Sequence, residues 1–187
     1  MRIISGSHRG RQIFPDKSFS ARPTTDFAKE NLFNVLTNYM DLEDISALDL
    51  FSGTGSISYE FASRGANEII AVELNYNHFA FIKRMSKELG FRNLKVYKTD
   101  MFMACQKLKG RKFDLIFADP PYNLPSIQQV PLSIFENDLL TENGIAVIEH
   151  PASVDYSALP YFYERRKYGS VNFSLFRKKA PGNSCEE

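Results

Sequence analysis

The feature that most constrains this chain is a repeated alternation that begins near residue 45. Short runs of almost entirely apolar residues recur at 45–51, 69–72, 94–97, 113–118 and 144–148. Between them lie segments with helical spacing of apolar residues, at about 56–64, 76–89, 101–108 and 126–139. A strand that is apolar on both faces must be covered on both faces. Strands of that kind separated by helices predict a parallel sheet with helices on each side. Such a sheet binds ligands beyond the carboxyl ends of its strands, near the point where strand order reverses. Polar residues follow four of the runs at those ends: Ser52-Gly53-Thr54-Gly55, Glu73, Asp100 and Asp119.

The flanks read differently. Residues 2–4 and 11–14 are short β-type runs around Ser-Gly-Ser-His-Arg-Gly, which predicts an N-terminal hairpin. Thr24, Thr25 and Asp26 are candidate N-caps for a helix whose apolar face carries Phe27, Leu32, Phe33, Val35 and Leu36. At the other end, 161–168 and 171–176 read as two strands joined at Gly169-Ser170.

At 187 residues the chain is expected to be one domain. Cys105 and Cys185 form neither a disulfide framework nor a metal-ligand spacing. The N-terminal residues lack the apolar stretch of a signal peptide, and no run approaches the length of a membrane span. The expectation is a cytoplasmic protein with free thiols and no membrane partner. The net charge of +1 conceals an uneven distribution. Residues 1–22 carry net +4 and residues 161–179 net +5, which leaves the remainder at −8. Basic ends around an acidic body point to a polyanion touching a limited surface.

Two motifs carry chemistry. In Leu48-Asp49-Leu50-Phe51-Ser52-Gly53-Thr54-Gly55-Ser56 a glycine turn follows the first strand and opens the next helix, so backbone amides are approachable. Ser58 stands where a dinucleotide clamp would have its third glycine. Glu73 follows Gly55 by 18 residues, the spacing at which a carboxylate accepts hydrogen bonds from a ribose diol. Asp100 reads equally as an acceptor for an adenine amino group and as a helix N-cap. The second motif, Asp119-Pro120-Pro121-Tyr122, ends the fourth strand. Prolines have no N–H, so this backbone offers carbonyls without competing donors. Asp119 and the Pro120 carbonyl can take both hydrogens of a planar NH2 group, and Tyr122 offers a ring on which a base can stack.

Together these motifs resemble the class I (Rossmann-like) S-adenosylmethionine-dependent methyltransferases, and D-P-P-Y resembles the amino-methyltransferase signature within them. Residues 2–14, 22–36 and 168–178 are similar to the RsmD family, which methylates the guanine N2 amine of bacterial 16S ribosomal RNA. The resemblance implies an α/β fold with a mostly parallel seven-stranded sheet, a C-terminal antiparallel hairpin and an N-terminal basic β-hairpin arm. It divides the chain into an arm at 1–20, a methyltransferase domain at 21–179 and a disordered tail at 180–187. S-adenosylmethionine would be held by Asp49, Phe51, Gly53, Gly55, Glu73 and Asp100. Catalysis would fall to Asp119, Pro120 and Tyr122, with no metal. RNA would meet Arg2, Arg9, Arg11, Arg22, Thr24 and Pro121. The expected partner is ribosomal RNA, naked or within a small-subunit assembly particle, and the expected state is a monomer. Three rival readings remain at this point: a DNA adenine-N6 methyltransferase, a protein glutamine methyltransferase, and a non-catalytic RNA-binding module that keeps the fold.

Overall fold

The computed structural model describes residues 1–15 and 26–178. Helix α1, Asp26–Leu36, precedes the alternating region. That region runs β1 (Ser46–Leu50), α2 (Ser56–Ser63), β2 (Glu68–Glu73), α3 (Tyr76–Glu88), β3 (Leu94–Lys98), α4 (Met101–Lys107), β4 (Phe113–Ala118), α5 (Gln129–Glu136) and β5 (Leu140–His150). Strands β6 (Phe162–Tyr168) and β7 (Val171–Phe176) complete one seven-stranded sheet of order β3-β2-β1-β4-β5-β7-β6. Strands β1 to β5 pair in parallel, and β7 runs antiparallel to both β5 and β6.

The strands alternate their side chains between two cores. Ala47, Ile69, Ala71, Leu115, Phe117 and Val147 face α1, α2 and α3. Leu48, Ile70, Val72, Ile116, Ala146 and Ile148 face α4 and α5. Burial on both sides is why the inner strands read as largely apolar runs. The edge strands are the exceptions: β3 buries only Leu94, and β6 buries no residue.

Some boundaries differ from the sequence reading. Strand β5 has eleven residues rather than the five at 144–148, because Thr141-Glu142-Asn143 interrupts the apolar run while the backbone stays extended. Its pairing to β4 shifts register between Phe113 and Leu115. Helix α5 is shorter than 126–139, since turns precede it and Pro131 can occupy only its first turn.

The N-terminal segment pairs as a short hairpin, as the sequence predicts: Arg2 bridges Gln12 antiparallel, Ile3 N donates to the Arg11 carbonyl at 3.0 Å and Ile13 N to the Met1 carbonyl at 2.9 Å. It is also built into the body. Ile3 and Ile13 are each 1% exposed and belong to the core beneath α1 and α2. Its turn sits so close to the end of α2 that a Cβ on Gly6 would lie 1.8 Å from the Ser63 carbonyl oxygen.

Candidate active site

Strand order reverses between β1 and β4, and there the loops after the two strands diverge. A cavity of about 920 Å³ opens at this point, across the carboxyl ends of β1, β2, β4 and β5. Its wall includes Asp49, Phe51, Gly53, Glu73, Asp100, Asp119, Pro120, Pro121 and Tyr122.

The loop after β1 is tightly wound. Phe51, Gly53 and Gly55 have φ of 66°, 55° and 82°. Glu73 fastens it to β2: Oε2 accepts from the Gly53 amide at 2.7 Å and Oε1 from the Asn75 amide at 2.7 Å. Each oxygen has a second lone pair, and the residue lines the cavity. Asp49 is buried and accepts from the Ser58 hydroxyl, which anchors the first turn of α2 to β1. Burial pushes its carboxyl up to about 7, against the opposing hydrogen bonds from Ser58 and Ser52. Both readings of Asp100 coexist. Its Oδ1 caps α4 by accepting from the Phe102 amide at 2.8 Å and the Met103 amide at 3.3 Å, and the residue lines the cavity.

Opposite this rim stands the D-P-P-Y turn. Asp119 lies partly exposed on the wall, and burial of its carboxyl, with Glu149 and Asp49 close by, holds its proton affinity well above the carboxylate range. The Pro121 carbonyl accepts from the Leu124 amide at 2.8 Å, so it is turned into its own loop. The Tyr122 ring is 50% exposed, and its hydroxyl donates to Glu149 Oε1 at 3.0 Å.

Glu149 was not singled out by sequence, although Ile148-Glu149 repeats the pattern of an apolar run followed by an acid. Phe27, read as part of the apolar face of α1, is instead largely exposed and lines the cavity, as does the β6–β7 turn, Tyr168 to Val171, which the sequence did not mark. Conversely, Gly55 is not on the wall. It ends the turn as the residue before α2, and a Cβ there would meet the Tyr59 ring at 2.7 Å. Arg2, Arg9 and Arg11 are exposed on the N-terminal segment, outside the cavity wall, and Arg2 pairs with Asp26 at 3.4 Å. Arg22 and Thr24 lie outside the described residues. Among the described residues no group of three or more His, Cys, Asp and Glu is arranged to hold a metal ion.

The cavity fits S-adenosylmethionine. It is within the usual range for cofactor sites, ~300–1,000 Å³. It combines a carboxylate at the end of β2, apolar surface from Phe51, Ile57 and Met101, and acids that suit a sulfonium cation.

A parallel sheet of this order closed by an antiparallel β7, with a glycine loop and D-P-P-Y meeting at the reversal, is the fold of the class I methyltransferases. Residues 1–177 match the family model described as Conserved hypothetical protein 95, and the chain belongs to that family, the RsmD family of methyltransferases. YlbH of Bacillus subtilis strain 168, assigned as an rRNA methyltransferase, is 32% identical over 185 residues, spanning 96% of this chain and 100% of its own. The ribosomal RNA small subunit methyltransferase D of Escherichia coli K12 is 26% identical over 187 residues, spanning 98% and 93%. The solved structure of yhhF from Escherichia coli, assigned as a methyltransferase, superposes with a TM-score of 0.82 at 26% identity, covering 96% of this chain and 98% of that one.

Proposed function

We propose that this protein transfers a methyl group from S-adenosylmethionine to the exocyclic N2 amine of a guanine in 16S ribosomal RNA. The observation that carries the reading is the meeting of Asp119, Pro120 and Tyr122 with the Glu73-anchored glycine loop around one cavity. Relatives named as small-subunit ribosomal RNA methyltransferases support the RNA class.

The Gly53 loop, Glu73 and Asp100 would hold the cofactor, with Phe51 and Met101 as its apolar walls. When bound, it supplies a methyl group made electrophilic by the adjoining sulfonium. Asp119 accepts one hydrogen of the target amine and the Pro120 carbonyl accepts the other. These bonds fix the nitrogen's direction, and most of the rate gain comes from that orientation. The amine gains a methyl group and must shed a proton. Asp119, with its raised proton affinity, is suited to receive it. The target base must leave its stack to reach the cavity, and the half-exposed Tyr122 ring provides a surface for it. Exposed Arg2, Arg9 and Arg11 offer contacts to phosphate, which position RNA without reading its sequence.

The test is single-turnover methylation of small-subunit ribosomal RNA, with the product nucleoside identified by mass spectrometry and cofactor affinity measured separately. N2-methylguanosine is the expected product. Asp119→Ala is expected to slow the reaction by about 100-fold or more while cofactor affinity stays near that of the parent. N6-methyladenosine as product would transfer the assignment to the adenine-modifying reading, and full activity in Asp119→Ala would refute the mechanism.

A further inference from the structure

Beyond its charge beside Asp119, Glu149 has no part in the chemistry above, and its placement needs a further reason. Ala118 of β4 and Ile148 of β5 are register partners in a parallel pair. The next residues in the chain, Asp119 and Glu149, follow directly from that pair, and their carboxyl groups are close enough to interact electrostatically. Both line the cavity. Glu149 is only 7% exposed. One of its oxygens, Oε1, takes the Tyr122 hydroxyl, while Oε2 is buried without a hydrogen-bond partner. A buried carboxylate oxygen with no donor is costly, and a site built this way favours a ligand that brings the donor.

We infer that Glu149 is a base-selecting residue: its Oε2 accepts a ring N–H that lies next to the amine held by Asp119. This rests on the methyl-transfer reading and specifies the substrate of that same site. Among the nucleobases that carry an exocyclic amine, guanine has a protonated ring nitrogen, N1–H, beside it. In adenine and cytosine the corresponding ring nitrogen is a bare acceptor. Two neighbouring carboxyl groups thus match the paired donors N1–H and N2–H of guanine. Glu149 presents a lone pair to the lone pair of an adenine or cytosine ring nitrogen. The discrimination is partly repulsive, which is how a specific site rejects close analogues. Tyr122 serves twice in this arrangement. Its ring stacks on the base, and its hydroxyl occupies Oε1, which leaves Oε2 as the oxygen without a partner on a residue that lines the cavity.

2-Aminopurine tests this directly, because it keeps the 2-amino group of guanine but has an unprotonated N1. The substrates are RNA oligonucleotides carrying either base at the methylated position, located beforehand by mass spectrometry of methylated small-subunit ribosomal RNA. Single-turnover rates are compared for the wild type and Glu149→Gln, with melting temperature and cofactor affinity measured alongside. The wild type is expected to prefer guanine by about 100-fold or more, as sites that bind a substrate N–H reject analogues lacking it. In Glu149→Gln the guanine rate falls and the preference shrinks to about tenfold or less, since a carboxamide can donate to a bare ring nitrogen. A wild-type preference below about tenfold overturns the inference whether or not the variant folds, and so does a folded Glu149→Gln that keeps the full preference. Guanine methylation persisting in either case leaves the methyl-transfer reading standing. A wild type that methylates no guanine in RNA refutes that reading and the inference with it.

Discussion

Replacing Glu60 with alanine should cost this protein a large part of its stability, and the cost should depend on pH in a particular direction. Glu60 lies on α2 and is wholly buried. Its Oε2 accepts from the Ile4 amide at 2.9 Å, and its Oε1 accepts from the Ser5 amide at 3.0 Å and from Arg64 Nε at 2.9 Å. The ammonium of Lys29, 1% exposed on α1, lies 3.7 Å away and also donates to the Arg2 carbonyl and to Ser56 Oγ. One carboxylate thereby joins the N-terminal segment, α1 and the helix that opens beside the cavity. Glu60→Ala leaves a buried cation without its counter-charge, a change that typically costs about 3–5 kcal/mol. That is a large share of the ~5–15 kcal/mol by which a domain is stable. Lys29→Met should cost less, because Glu60 keeps Arg64 and both amides. Burial already lowers the proton affinity of Lys29, and Glu60 partly restores it. Without Glu60 it falls further, so the unfolded chain binds a proton there that the folded variant does not. Stability of the variant then rises with pH toward the ordinary lysine value of 10.5. Urea unfolding of both proteins at pH 7 and pH 9.5 measures the deficit, and hydrogen exchange at Ile4 and Ser5 shows whether the segment loosens. A deficit under about 1 kcal/mol, or one that does not shrink at the higher pH, would refute this account.

Asp49 should show the opposite pH sense. Its folded carboxyl titrates at about 7, so the folded state holds a proton that the unfolded state releases, and ionisation on raising the pH costs stability by roughly 4 kcal/mol at most. Asp49→Asn is expected to melt at or above the wild type at pH 8 and to lose that advantage at pH 4; a lower melting temperature at pH 8 would show that the Ser58 bond outweighs the buried charge. Arg9 and Arg11 are exposed, so Arg9→Ala/Arg11→Ala should leave the melting temperature nearly unchanged. It should flatten the salt dependence of RNA affinity by about 0.7 in log–log slope for each single-strand phosphate that the two arginines neutralise. An unaltered slope would remove these residues from the RNA surface. Deleting the whole segment would be a poorer test, because it strips Ile3 and Ile13 from the core.

The fold was legible because burial on both faces leaves a periodic record. Each inner strand of the parallel sheet appears as an apolar run, and the residue after the run is displayed at the sheet's carboxyl edge. Glu73, Asp100 and Asp119 were found on that basis, and all line one cavity. The record fails where burial and backbone conformation part company. Residues 141–143 are extended but half-solvated or exposed, so β5 looked short. Gly55 was read as a cofactor-binding glycine; its φ of 82° and the Tyr59 ring that a Cβ there would strike are a packing reason for glycine that the spacing did not reveal. Lys29 and Glu60 left no trace at all, since a charge on a helix ordinarily faces water and nothing in the spacing of these two distinguishes them.

What alternation does not encode is strand order, and the chemistry depends on it. Local periodicity marks five strand ends but does not say which become neighbours. The order β2-β1-β4-β5 sets Glu73 beside the glycine loop and Asp119 beside Glu149. The first juxtaposition could be anticipated, because a strand and the next one in sequence are often paired. The second brings together residues 119 and 149 across α5, and only the register Ala118 to Ile148 makes them adjacent. The acid at position 149 follows an apolar run as the other three do, and by itself that pattern assigns it no partner. It becomes informative once its neighbour is Asp119, one oxygen is held by Tyr122, and the other lacks a donor. The base selection proposed for this protein therefore rests on pairwise adjacency at strand ends, which its motifs do not spell out.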